Sequence, residues 1–307
     1  MSNINYTTDN FNCQVKKILS KTQYKKSLNH AVTDWLYSVK ENKKALEVEN
    51  CANHIGITNI DNVAHIVKAD FCRNRICNVC SWRRQSKFIA QMFPVLEILG
   101  EKYNFLFATL TIKNVIYEEL NTAIDKILMA YDKLLKRRKI KRSWLGKIRG
   151  LEVTYNQTTD TFHPHIHVFI AVEKDYFTDP TKYISQNELS EYWKECISAD
   201  YSPICHIEKV TDTRSGAVET LKYSFKTSVN KNALRGYFYT LKNRRLVSFS
   251  GVFADTRKFL KQSDLETVLT DDIQNNTAKK IIYSLYKFDA TGGVYKYYNS
   301  VELITKE

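Results

Sequence analysis

Residues 162–170 read Phe162-His163-Pro164-His165-Ile166-His167-Val168-Phe169-Ile170, and after the proline they alternate in character. His165 and His167 fall on one side and Ile166 and Val168 on the other, the period of a β-strand. Residues 105–112, rich in Phe, Leu and Thr and bounded by polar positions, predict a central strand. Residues 148–155 predict another, joined to the histidine strand by a short polar turn over 156–161. Pairing Tyr155 with Phe162 across that turn sets Glu152 opposite His165. Helical spacing appears at Leu120, Ile124, Ile127, Leu128, Tyr131, Leu134 and Leu135, and again at Leu189, Tyr192, Trp193, Cys196 and Ile197. Residues 15–19 and 31–39 read as helical pieces and 202–210 as a strand. Residues 280–288 and 294–301 read as a hairpin turning at Thr291-Gly292-Gly293. Val218, Leu221, Phe225 and Val229 line one side of a further helix, whose other side carries Glu219, Tyr223 and Lys226.

Charge narrows the partners. Over 307 residues, 46 Lys+Arg stand against 33 Asp+Glu, a net charge of +13 with a pI near 9.2. Such an excess favours a polyanion, nucleic acid before membrane. No run of about 18 apolar residues is present to span a membrane, and the first residues lack the apolar core of a signal peptide. A soluble cytoplasmic protein is expected, with its seven cysteines reduced.

The cysteines change the picture further. Cys51, Cys72, Cys77 and Cys80 are spaced C-x20-C-x4-C-x2-C. The Cys77-Asn78-Val79-Cys80 knuckle lets two thiolates reach one ion, and the earlier pair completes a tetrahedral Zn2+ site. Buried free thiols are the plainer alternative, and His54 is an alternative to Cys51. Arg73, Arg75, Arg83, Arg84 and Trp82 surround the knuckle as candidates to grip phosphates and stack a base. A second basic run, residues 136–142, includes Arg137, Arg138 and Lys139 and carries no acidic residue. It is either a solvated face or a phosphate-backbone contact.

His165 and His167 project the same way, which suits a metal held by two neutral imidazoles. With Glu152 they make a two-histidine, one-carboxylate set that leaves coordination positions open, the arrangement of a catalytic site. A hydrogen-bonded Glu–His pair in a half-buried strand is the simpler possibility, and a slip of one residue would turn Glu152 away. Tyr223, with Glu219 and Lys226 about one turn to either side, reads either as a nucleophile with a base and a phosphate-gripping cation or as an ordinary surface cluster.

Four blocks in order carry a resemblance: residues 71–83, then Thr109-Leu110-Thr111, then residues 163–167, then Glu219 with Tyr223 and Lys226. Together they resemble plasmid rolling-circle replication initiators of the HUH endonuclease superfamily, the branch with an upstream cysteine cluster. The resemblance runs from about residue 51 to 260, and Arg244-Arg245 and Ser250-Gly251 also look familial. Asn78 stands where the family usually has proline.

The resemblance implies that Tyr223 attacks a phosphodiester of plasmid origin DNA, leaving a 5′-phosphotyrosine and a free 3′-OH primer. His165 and His167 would hold Mg2+ or Mn2+. Glu219 would activate water for the releasing cleavage at termination, and the host helicase and polymerase would be partners. The oligomeric state stays open. The implied fold is α+β, a central antiparallel sheet carrying the His-x-His strand with helices packed on it. The expected divisions are an N-terminal polar helical segment (1–50), a zinc-binding module (51–100), the catalytic domain (101–262) and a C-terminal hairpin segment (263–307). A transposase of the same superfamily fits less well, because many of those pair two tyrosines. A non-enzymatic zinc-dependent DNA-binding regulator leaves the histidines unexplained. A hydrolase of small substrates leaves the charge unexplained.

Overall fold

The computed structural model describes residues 6–60, 63–211, 216, 230–262 and 280–304. They fall into two compact units, which divide between Arg83 and Arg84; the C-terminal hairpin belongs with the first. The fold is α+β with antiparallel sheets. No described helix is long and apolar enough to cross a membrane.

The first unit opens with three helices, α1 (Tyr6–Ser27), α2 (Asn29–Ser38) and α3 (Asn42–Glu49). Its four-stranded sheet contains β1 (His54–Ile60) and β2 (Val63–Ala69) together with the C-terminal strands β8 (Lys280–Asp289) and β9 (Val294–Ile304), in the order β2-β1-β8-β9. The strands β1 and β2 were not expected from the sequence. They fold back on each other between Cys51 and Cys72, and Ala52 N–H donates to Asp70 O at 2.9 Å. Two cysteines separated by twenty residues are thereby brought side by side.

Helix α4 (Asn78–Gly100) begins at the cysteine knuckle. The expected module end at residue 100 is not where the compact units divide. Met92, Val95, Leu96 and Leu99 of α4 pack instead into the core of the second unit, with Phe105, Ile148, Phe169, Phe253 and Leu260. Burying each such side chain stabilises by roughly 1.5–3 kcal/mol, so this half of α4 goes with the sheet it covers.

That sheet has five strands, β3 (Tyr103–Thr111), β4 (Gly146–Asn156), β5 (Thr161–Glu173), β6 (Cys205–Lys209) and β7 (Val247–Gly251). Their order is β6-β3-β5-β4-β7, all antiparallel, with β5 in the middle. Strand β5 is buried over nearly its whole length, as a strand covered on both faces must be. One face carries Phe169 and Ile148 beneath α4 and the helix Val252–Gln262. By the alternation of side chains, His165, His167 and Glu152 belong to this same face, nearer the β4–β5 turn.

The other face, with Ile166, Val168 and Ile170, packs against α5 (Tyr117–Lys136), which also contacts α7 (Gln186–Ile197). Helix α5 has Glu118 and Glu119 in its first turn and Lys133 and Lys136 in its last, matching its dipole. Helix α7 is capped by Ser185, whose side chain accepts from the Glu188 N–H at 3.2 Å. The basic run after α5 forms the short helix α6 (Arg138–Ser143). Edge strand β7 ends at Gly251, with φ +58°, where a Cβ would lie 2.0 Å from Leu145 O; only glycine fits this corner.

Candidate metal centres and active site

The β4–β5 turn sets the first site. Asn156 Oδ1 accepts from the N–H groups of Thr158 and Thr159 at 2.9 and 3.3 Å, an Asx-type turn. Tyr155 pairs with Phe162 and Glu152 with His165, as read from the turn length. On the other side of β5, Thr109 pairs with His167 and Thr111 with His165.

Glu152 Oε2 lies 3.0 Å from His167 Nε2 and 3.3 Å from His165 Nε2. All three residues are buried. Ligand atoms about 2.1 Å from one ion and at right angles stand about 3.0 Å apart, so this spacing fits a single cation. The outer nitrogens strengthen the case. His165 Nδ1 is 3.0 Å from His163 O, and a carbonyl can only accept, so that nitrogen carries the proton. In neutral His165 the Nε2 is then a bare lone pair facing a carboxylate oxygen. Such a contact is favourable only with positive charge between the atoms or on the ring. His167 Nδ1 is 3.1 Å from Thr109 Oγ1, and Phe107 stacks on its ring at 5.4 Å, fixing its orientation.

Burial disfavours the ionised form of Glu152, but hydrogen bonds and charge from His165 and His167 outweigh it and hold the carboxyl well below the usual range. His163, next along the face, is pushed down by burial and by the nearby His165.

Glu219, Tyr223 and Lys226 lie outside the described residues. The contribution of Thr109 to His167 was not expected, although Thr109-Leu110-Thr111 was among the blocks that carried the resemblance.

In the second candidate site, Cys51, Cys72, Cys77 and Cys80 offer sulfurs that all lie within 4.8 Å of one another. Cys51 Sγ is 3.5 Å and Cys72 Sγ 3.7 Å from Cys80 Sγ. That is far beyond a disulfide bond of about 2.05 Å. It is close to the roughly 3.8 Å that separates thiolates around a tetrahedral ion with 2.3 Å bonds. N–H groups surround the sulfurs: Arg73 N donates to Cys80 at 3.2 Å, Cys72 N to Cys51 at 3.5 Å and Asn29 Nδ2 to Cys77 at 3.3 Å. Arg73 takes φ +57° as its N–H turns toward the cluster. Hydrogen bonding with the other three cysteines holds the Cys77 thiol well below its ordinary range.

His54 is not part of this group: its Nδ1 lies 2.9 Å from Asp70 Oδ2 in an exposed pair. Little chemistry is readable in the sequence of residues 1–50, yet Asn29 and the buried Lys26, which donates to Glu49 O and Cys51 O at 2.6 and 3.0 Å, support the cluster. Nothing in their spacing signals this role.

The expected basic rim is partly engaged within the protein. The Arg83 guanidinium lies 4.2 Å from the Phe71 ring and Lys21 Nζ 5.4 Å from the Trp82 ring. Arg73 is exposed, and Arg75 and Arg84 are half-buried. In the second run, Arg137 bonds to Glu195 and Lys139 Nζ lies 2.8 Å from Glu188 Oε2, while Arg138 stays exposed. Helix α7 therefore occupies two of these three cations.

Residues 63–296 match the family described as "Replication protein". The chain is 34% identical over 248 residues to "Protein rep" of Streptococcus pneumoniae serotype 2, spanning 76% of this chain and 78% of that protein. It is 31% identical over 256 residues to "Protein rep" of Bacillus amyloliquefaciens, spanning 73% and 75%. It is 36% identical over 173 residues to "Protein rep" of Staphylococcus aureus, spanning 54% and 76%. No solved structure gives a significant match.

Proposed function

Since the chain belongs to the family of plasmid rolling-circle replication initiators, we propose that it nicks one strand of plasmid origin DNA with Tyr223 as nucleophile. The observation that carries this reading is the convergence of Glu152 Oε2, His165 Nε2 and His167 Nε2 on one point of the central sheet. Glu152, His165 and His167 hold Mg2+ or Mn2+, which when bound supplies positive charge against the scissile phosphate.

The Tyr223 oxygen attacks phosphorus and loses its proton. The bond from phosphorus to the 3′ oxygen breaks, and that oxygen takes up a proton. The products are a 5′-phosphotyrosine and a 3′-OH primer for the host polymerase, with helicase opening the duplex ahead. The exchange conserves one phosphodiester, so it is reversible and permits strand rejoining. Lys226 pairs with the phosphate's charge. At termination Glu219 takes a proton from water, which makes the second cleavage and releases the strand.

The cysteine cluster has a different chemistry. Four thiolates, three of them buried and that of Cys72 half-buried, leave no open position, so it holds Zn2+ as a structural ion. It fixes the knuckle at the start of α4 and the basic residues around it. DNA contacts are assigned to Arg73, Arg75, Trp82, Arg83 and Arg84, and to the second basic run through the exposed Arg138.

The reading is tested by mixing the protein, a divalent cation and origin DNA labelled on the 5′ side or the 3′ side of the nick. A covalent adduct carrying only the 3′-side label supports it. Cleavage without any protein-linked DNA would point to direct hydrolysis by water.

A further inference from the structure

Edge strand β7 and the helix Val252–Gln262 enclose, with Phe88 of α4, a cleft of about 460 Å3 lined by Phe88, Arg245, Val247, Phe249, Arg257 and Lys258. This volume lies in the roughly 300–1,000 Å3 range of small-ligand sites. Its floor is aromatic, the Phe88 and Phe249 rings standing 5.8 Å apart at 34°. Its rim is cationic, and no acidic side chain lines it among the described residues. The Arg257 guanidinium lies 4.8 Å from the Phe249 ring and 5.8 Å from Phe88, and it donates to Gln91 Oε1 at 2.8 Å. Two rings and an amide thus fix the plane of that guanidinium. Arg245 and Lys258 are exposed.

Sheet register ties this cleft to the metal centre. Val247 pairs with Gly150, and Gly150 pairs with His167. Side chains paired directly across a sheet point the same way, so Val247 faces as His167 does. Two inter-strand steps of about 4.8 Å put their backbones about 10 Å apart.

We propose that this cleft holds one nucleotide of the single strand leading to the nick. Its phosphate lies against Arg245, Arg257 and Lys258, and its base stacks on the surface formed by Phe88, Phe249 and the Arg257 plane. This assignment rests on the reading of the protein as a DNA nickase. Duplex DNA fits less well, because bases stacked on their neighbours have no face left for an aromatic floor. A phosphate contact alone would need the cations but not the rings.

The test is the binding of a fluorescein-labelled oligothymidylate to the full chain in EDTA, by anisotropy over a salt series, with a duplex of equal length in parallel. Arg245→Ala combined with Lys258→Ala changes two exposed side chains, so the melting curve should stay as in the parent. Oligothymidylate affinity should fall at least tenfold at low salt. The slope of log affinity against log salt should shrink by up to about 0.7, the share of the one single-strand phosphate held in the cleft. Arg257→Lys keeps the charge and removes the plane; it should weaken oligothymidylate binding while leaving the slope in place. Duplex affinity should change less in both variants.

Unchanged affinity and slope in the double variant would overturn the assignment, as would an equal fall for duplex and single strand. EDTA separates this result from the nicking reading. A parent protein that forms adduct while the cleft variants bind normally refutes the cleft alone. A parent that never forms adduct while the variants bind oligothymidylate poorly refutes nicking alone.

Discussion

Glu152 sits directly across the β4–β5 pair from His165, with 3.3 Å between its Oε2 and the imidazole Nε2. Two buried groups are brought together by nothing more than the length of a polar turn and the period of a strand. Because Nδ1 of His165 is committed to a carbonyl, the contact requires positive charge. Glu152→Ala should therefore raise the Mn2+ concentration needed for half-maximal nicking by at least the roughly 10–100-fold that losing a mere hydrogen-bonding partner of a metal ligand costs. Excess Mn2+ should restore the rate, since water can replace one ligand. A Mn2+ titration with the same midpoint as the parent would remove Glu152 from the ligand set.

The cysteine cluster should carry one Zn2+ per chain by elemental analysis. Structural zinc contributes an apparent ~10–16 kcal/mol in small zinc-finger peptides, so Cys77→Ser should release the metal and unfold the first unit at a markedly lower temperature. Asn29→Ala leaves all four thiols in place but removes the donor to Cys77 Sγ and the Oδ1 that accepts from the Asn78 N–H at 2.8 Å. It should retain the metal but release it to a chelator at roughly 10–100-fold lower concentration. Metal-free protein with an unchanged melting profile in both variants would mark the four thiols as ordinary core.

Tyr223 and Glu219 should separate cleanly in a plasmid replication assay. Tyr223→Phe removes the phenol oxygen, so the first nick and the adduct should vanish while origin binding persists. Glu219→Ala leaves the nucleophile intact. Loss of a positioned base costs about 10²- to 10⁴-fold, and that loss should fall on release, seen as displaced strands longer than one plasmid unit. Should Glu219→Ala abolish the first nick as well, Glu219 serves Tyr223 and not water.

Stability of the sheet should depend on Gly236. A Cβ there would lie 2.4 Å from Phe162 Cε1, and Phe162 is a fully buried ring at the start of the histidine strand. Gly236→Ala should cost about 1–3 kcal/mol, the usual range for overpacking, read as a lower midpoint in chemical denaturation. An unchanged midpoint would mean that the helix Lys231–Thr240 shifts freely over β5.

Local pattern made much of the catalytic sheet legible. The alternation at His165 and His167, the turn over 156–161 and the helical spacing from Leu120 to Leu135 are all short-range signals, and they placed Glu152 on the correct rung. What escaped notice depends on distant partners. Strands β1 and β2 lack clean alternation: Ile55, Gly56, Ile57 and Thr58 are buried in succession because β8, over two hundred residues later, pairs alongside. Helix α4 contains Pro94, and packing of Val95, Leu96 and Leu99 into the second unit's core keeps the chain helical past it. Asn29 and Lys26 look like ordinary polar helix positions until the cysteine cluster folds beside them. The pairing of Arg137 and Lys139 with α7 likewise needed a second helix to become visible.

The most direct measurement is the yield of covalent protein–DNA adduct on labelled origin DNA, with and without EDTA, for the parent, His165→Ala and His167→Ala. Adduct should form in the parent with Mg2+ or Mn2+ and disappear in EDTA. It should be absent from both variants under every condition, while their melting curves stay cooperative. Full adduct yield in EDTA, or from either histidine variant, would contradict the assignment of Glu152, His165 and His167 as the metal centre of the nicking reaction.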